Sequence, residues 1–350
     1  MRLEARGRNN AVTDTKSDIP SVVERTRPLK ADAPIVGAHF FANTAVLVLG
    51  DEALLLVPRQ GEARRLAVHG GAILSSSADA ERIITGGDDG KVIASGPDGT
   101  STTIATDAKR RWIDHVAAGP GGAVGWSAGK QAFVRTAKKG SGGEERMLEL
   151  PSTAGGLAFA PKGLRLAIAR YNGLSLWFPN AQSEPEKLEW KGSHLGVTWS
   201  PDGKFAVTSM QEPVLHGWRV ADGKDMRMSG YGARVRSLDW SAGGKWLATS
   251  GSSQLILWPF QGKDGPMGKQ PRILAPAEAQ ADVVACHPRQ EVVAVGYADG
   301  LVLLVRIDDG AEVLAHKGGG APITALAWSA AGGLLAFGTE DGEAGVIDLG

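Results

Sequence analysis

The 350-residue chain has a single cysteine, Cys286, so an internal disulfide cannot form and no Cys-rich metal spacing exists. A reducing compartment is the expectation. Neither sign of charge is in excess: 38 basic residues face 38 acidic ones, which leaves no global field for a nucleic-acid backbone or an anionic membrane. Long hydrophobic runs are missing too. The longest, at 54–57 and 301–305, are strand-sized, and the basic N-terminal stretch MRLEARGRNNAVTDTKSDIP has no apolar core behind it. A cleaved leader and a membrane span are therefore not expected, and a cytoplasmic, bacterial-style protein is. No stretch keeps a helical period.

What is abundant is glycine, with 48 residues against a usual share of ~7%, alongside 43% hydrophobic content. Glycine with that much apolar material means turns around a core, not disorder. Similar phrases recur near every forty residues. LAFAPKGLRLAIARYNGLSLWF (157–178), VTWSPDGKFAVTSMQEPVLHGWRV (197–220) and LDWSAGGKWLATSGSSQLILWPF (238–260) align directly. Their markers Phe159, Trp199 and Trp240 continue at Cys286 and Trp328, and a second series, Trp177, Trp218 and Trp258, keeps the same period. Weaker copies lie at 36–59, 72–94 and 115–135, giving eight in all. Within each, apolar stretches of four to seven residues alternate with Gly, Pro, Asp, Asn and Ser, the mark of short antiparallel strands and tight turns.

These copies resemble the WD-repeat family of β-propellers. The resemblance rests on WSPDG (199–203), on the turns GGDDG (86–90), GYADG (296–300) and GTEDG (338–342), and on the tryptophans 177, 218 and 258, over roughly residues 20–350. The Trp-Asp pair itself never occurs, since Phe178, Arg219 and Pro259 follow those tryptophans. The resemblance implies an all-β propeller of four-stranded antiparallel blades and says almost nothing of function. Eight blades are expected, with seven as the alternative. Residues 1–19 are expected to form a flexible tail and 20–350 a single domain. Asp88, Asp299 and Asp341, in the turns before third strands, are expected to accept backbone hydrogen bonds. The last copy has only three strands, whereas Leu29 precedes Phe40 by the same 11 residues that separate Leu148 from Phe159. The segment 23–31 is therefore expected to complete the last blade from outside, where Pro28 needs no donor.

Catalytic motifs are absent: no phosphate loop, nucleophile elbow, zinc helix or dinucleotide fingerprint occurs. Cys286 and His287 are adjacent on a strand and point to opposite faces, so they read as structural. No cofactor and no metal are expected. The one local cluster of soft ligands is His194, Met210, His216, Met226 and Met228 in the fifth copy, a composition suited to an ion such as Cu(I). Packing methionines and a loop histidine are the plainer reading.

What remains is surface. The loops from fourth to first strands and from second to third strands open on one rim of a propeller. Here they include Arg110, Arg111 and Trp112; Arg170 and Tyr171; Lys191 and His194; Met210, Gln211 and Glu212; and Tyr231 and Arg234. Arg, Tyr, Trp and Met anchor interfaces, so this arc is the expected contact site for an unidentified protein or peptide. The competing account is that Trp112 and Tyr171 only cover blade ends. The favoured function is a non-catalytic binding scaffold. The alternative is a metal- or small-ligand-handling accessory or enzyme using the axial channel or the fifth-copy His/Met cluster. A nucleic-acid reader is disfavoured by charge balance, although the arginines of the arc speak for it. The long connection PFQGKDGPMGKQP (259–271) is expected to be a mobile spacer by default; the alternatives are that Met267 and Phe260 tie it down and that it is a second contact site.

Overall fold

The computed structural model describes residues 19–137 and 143–350. Among them, thirty strands and two 3-10 turns, Val23–Arg25 and Pro120–Gly122, make up the regular structure, with no α-helix. The expected tail lies, but for Ile19, outside the described residues.

Most second and third strands are largely buried, some along their whole length, as in Phe205–Met210 and Leu255–Pro259. Sheets packed on both faces need continuous apolar strands there, which is why these runs lack polar alternation. Outermost strands, such as Arg64–Ala67 and Glu145–Glu149, are largely exposed and charged, which protects their open edges.

The strands form seven hydrogen-bonded sheets, six of four strands and one of six. The expectation of eight separate blades is thus corrected to the alternative count. The cause is local. Leu166–Trp177 and Glu186–Trp199 are long strands that carry left-handed residues at mid-length, Asn172 (φ 66°) and Gly173 (φ 125°) in one and Gly192 (φ 118°) in the other. At those points the pairing changes partner. Leu166–Arg170 pairs with Ala154–Phe159, Tyr171–Leu176 pairs with residues 186–193, and His194–Trp199 pairs with Phe205–Met210. Copies four and five therefore share one continuous sheet, and all eight sequence copies are present in a ring of seven sheets.

The ring closes as the repeat spacing predicts. Thr26–Lys30 pairs antiparallel with the last strand, Glu343–Asp348, with Pro28 opposite Gly345 and Leu29 opposite Ala344. Ahead of it, Leu314 N–H donates to Pro20 O (2.8 Å) and Val22 N–H to Leu314 O (2.9 Å), so the same segment also touches the outer strand of the preceding sheet.

Innermost strands leave backbone groups facing the axis, and side chains of the neighbouring sheet satisfy several of them. Ser75 Oγ accepts the Val116 N–H and Ser77 Oγ the Ala118 N–H, each at 3.0 Å. Ser237 Oγ does the same for Val284 (3.0 Å). The marker tryptophans join the sheets by their indoles: Trp199 donates to Ala158 O (3.1 Å), Trp240 to Thr198 Oγ1 (2.9 Å) and Trp328 to Ala285 O (3.0 Å). Phe159 packs in the matching place without a donor.

The connection 259–271 is not a free spacer. Phe260 is buried edge-on against Trp240 (4.7 Å) and Phe205 (5.3 Å), Asp264 pairs with Arg219, and Met267 packs on the same cluster.

A candidate interaction rim

Backbone and side-chain bonds stitch the loops of one rim together. Arg111 Nη1 donates to Ala128 O (3.2 Å), Gly129 N–H to Asp114 Oδ2 (3.2 Å) and Leu150 N–H to Lys130 O (2.8 Å). Tyr171 N–H then donates to Ser152 Oγ (3.0 Å), Gly192 N–H to Asn172 Oδ1 (3.1 Å) and Gln211 N–H to Ser193 O (3.0 Å). Arg234 Nη1 reaches Gln211 Oε1 at 3.4 Å. The structure thus brings the loops of the sequence arc into one continuous strip from the third copy to the entry of the sixth.

Two large side chains stand out from it: Trp112 is 62% exposed and Tyr171 58%. Arg110, Lys191, Gln211, Glu212 and Arg234 are exposed as well, and Arg111 is half-buried, paired with Asp107 at 2.6 Å.

Four arc residues sit inside instead, and their place at a loop tip is corrected. Arg170 is 3% exposed; its guanidinium donates to Ser175 Oγ, to the carbonyls of Tyr171, Asn172 and Leu174, and to Glu189. Tyr231 is buried, accepts the Trp258 indole N–H at 2.7 Å and bonds Thr249 Oγ1 at 2.9 Å; burial pushes its hydroxyl pKa up. His194 is buried, with Nδ1 on Thr208 Oγ1 (2.7 Å) and Nε2 on Trp190 O (3.0 Å), and burial lowers its pKa. Met210 is buried beneath Gly192.

Tyr231 repeats a motif of the second copy. There His69 bonds Asp89 Oδ1 (3.0 Å) and Thr85 Oγ1 (2.8 Å), and Thr85, like Thr249, lies on a second strand and donates to a third-strand carbonyl, Ile93 O in one case and Ile256 O in the other. His69 and Tyr231 each stand four residues ahead of a buried branched residue, Ile73 and Val235. That spacing is the signal the sequence reading missed. In the same turn Asp89, rather than Asp88, accepts the N–H groups of Gly70 and Lys91, both at 3.0 Å. Asp299 and Asp341 accept the N–H groups of Leu301 (3.1 Å) and Glu343 (3.3 Å).

A family model for the WD domain, G-beta repeat, matches residues 225–259, and one for the anaphase-promoting complex subunit 4 WD40 domain matches 284–350. Together with the ring of sheets, these two matches support a WD-repeat propeller family. No curated protein matches it. Among solved structures, the crystal structure of the computationally designed Ika8 protein is similar, with a TM-score of 0.75 and 16% identity over 91% of this chain and 97% of that one. At that identity the likeness concerns the fold alone. WD-repeat propellers are in general non-enzymatic scaffolds for protein interaction. No helix among the described residues is long and apolar enough to cross a membrane.

The fifth-copy His/Met cluster is divided by its own sheet. Met226 and Met228 pack toward the sixth copy with Phe205, Tyr231 and Trp258. His216 instead stacks on Trp190 of the fourth copy (4.0 Å, 17°), edge-on to Trp218 and 6.3 Å from His194. The thioethers of Met226 and Met228 are therefore kept apart from the imidazoles of His194 and His216, and both nitrogens of His194 are taken by Thr208 and Trp190. Cys286 is buried, with its thiol pushed up by burial, Asp239 and Glu291, while His287 Nδ1 accepts the N–H groups of Arg289 and Gln290.

Proposed function

We propose that this propeller is a non-catalytic scaffold that binds a protein or peptide through the strip running from Trp112 to Arg234. The observation that carries the reading is the pairing of two exposed aromatic side chains, Trp112 and Tyr171, with exposed arginines and lysines on loops that are fixed to one another by hydrogen bonds. Such a surface offers contact area with little ordering cost, since its frame is already held. The buried members of the arc, Arg170, His194, Met210 and Tyr231, set the loop geometry from below.

The test is site-specific cross-linking. A benzophenone side chain at Tyr171 is expected to give discrete adducts in native cells, and the same group at Phe178, which is exposed in the connection leaving the third strand of that copy, is expected to give none. Equal labelling from both positions, or none from Tyr171, would sink the strip as an interface.

A further inference from the structure

The charge balance of the whole chain hides a division of this rim. On the strip, Lys109, Arg110, Lys130, Lys191, Arg234 and Arg236 are all exposed and none has an ion pair among the described residues. Arginine and acid are already matched in Arg111–Asp107 and Arg170–Glu189. Asp114, Glu149 and Glu212 are the carboxylates there outside any ion pair among the described residues, so unmatched cations prevail.

The other half of the same rim has the opposite sign. Its loops are joined by the same kind of bonds: Ala298 N–H to Gln280 O (2.8 Å), Glu340 N–H to Pro322 O (3.0 Å), Ala31 N–H to Gly342 O (2.8 Å) and Ile73 N–H to Asp51 O (2.9 Å). Those loops carry Asp32, Asp51, Glu278, Asp299, Glu340 and Asp341. Of the cations on this half, Lys30 pairs with Asp341 and Arg65 with Asp51 and Glu52, which among the described residues leaves Lys317 as an unmatched cation against the unpaired Asp32, Glu278, Asp299 and Glu340.

We propose, building on the scaffold reading above, that the strip takes acidic peptide segments with aromatic or apolar side chains set among their carboxylates. Carboxylates meet the unmatched lysines and arginines, and the apolar side chains meet Trp112 and Tyr171. The acidic half sets the length and kind of the partner. A long polyanion such as a nucleic-acid strand leaving the strip in that direction runs into like charge, whereas a short acidic segment stays within the basic half. Aromatic exposure without basic excess would favour any apolar peptide; the two together specify an acidic one.

The probes are a random glutamate–tyrosine copolymer, polyglutamate and oligothymidine, each titrated against the full-length protein at low and at physiological salt. The copolymer is expected to bind about tenfold more tightly than polyglutamate. Lys191→Glu with Arg234→Glu is expected to weaken both acidic polymers by more than tenfold, while Trp112→Ala removes the copolymer's advantage and leaves polyglutamate unchanged. Unaltered melting curves confirm that each variant is folded. Equal affinity for the two acidic polymers, or none for either, overturns the proposal. So does oligothymidine binding more tightly than the copolymer, which would assign the strip to nucleic acid. Salt-sensitive self-association that excludes the copolymer overturns it as well, and would assign the strip to the acidic rim of a second copy. If the copolymer fails while cross-linking from Tyr171 succeeds, the partner chemistry is wrong and the interface stands.

Discussion

Asp239 Oδ2 accepts the backbone N–H of Cys286 at 2.6 Å, tying the innermost strand of the sixth copy to that of the seventh. Serine fills the equivalent role between the second and third copies, at Ser77. A carboxylate there is costly. Burial pushes its pKa up to about 6, against the downward pull of the Cys286 and Trp240 N–H groups.

A carboxyl whose pKa is raised by folding binds its proton more tightly in the native state, so acid favours the fold. Its unfavourable effect is absent below about pH 4 and complete above about pH 6. Asp239→Asn keeps an oxygen for Cys286 and removes the charge. The variant is expected to gain melting temperature relative to the parent as pH rises from 4 to 6, and to hold that gain at pH 7. A difference that does not vary with pH would show that folding leaves the proton affinity of Asp239 unchanged.

His216 works in the other direction. Neither ring nitrogen has a hydrogen-bond partner; burial foremost, then His194 and Arg227, lower its pKa to about 3, although Asp225 Oδ2 lies 3.4 Å from Nε2. A histidine kept neutral by folding contributes stability above its unfolded pKa near 6.5 that is lost as pH falls toward the folded value. The parent is therefore expected to lose melting temperature between pH 7 and pH 5 more steeply than His216→Phe, which keeps the stack on Trp190. Parallel curves for the two proteins would rule out this origin of acid sensitivity.

The period, the marker tryptophans and the closing strand were legible because each recurs at a spacing fixed by the sheet geometry: Leu29 stands before Phe40 as Leu148 does before Phe159. The rim was legible as a set of loops but not residue by residue. Arg170 and Tyr171 are neighbours, yet one turns in and the other out, because the bend at Asn172 and Gly173 aims the guanidinium at the carbonyls it closes over. Likewise Tyr231 reads as an interface anchor until it is set beside His69, whose inward place it takes. The union of copies four and five in one sheet depends on bridging at Tyr171 and Ser193, which no repeat spacing encodes.

That split between neighbours gives a direct comparison. Tyr171→Ala removes an exposed ring and is expected to change stability by under ~0.5 kcal/mol. Arg170→Ala strips donors from Ser175 and from backbone carbonyls and is expected to cost about 2 to 3 kcal/mol in urea unfolding. Trp199→Ala, which opens a gap between copies and abandons Ala158 O, is expected to cost roughly 3 to 5 kcal/mol. A silent Arg170→Ala would mean that its cage of acceptors is solvated rather than closed.

Closure of the ring can be dissected by truncation. A chain beginning at Ile19 keeps every described contact of the N-terminal segment and is expected to melt with the full-length protein. One beginning at Arg25 loses the bonds of Pro20 and Val22 to Leu314 but retains the strand Thr26–Lys30, so a loss of a few degrees is expected. One beginning at Asp32 loses the whole strand. Leu29 and Ala31 then leave the cluster formed with Ile35, Leu334 and Val346, and the edge of Glu343–Asp348 is left unpaired. An open edge of that kind templates association between molecules, so this truncation is expected to melt about 10 °C lower or more and to aggregate. The order of the three matters more than any single value. If the chain beginning at Asp32 melts with the one beginning at Ile19, the pairing of Leu29 with Ala344 does not hold the ring shut, and closure has to come from packing between the first and last sheets alone.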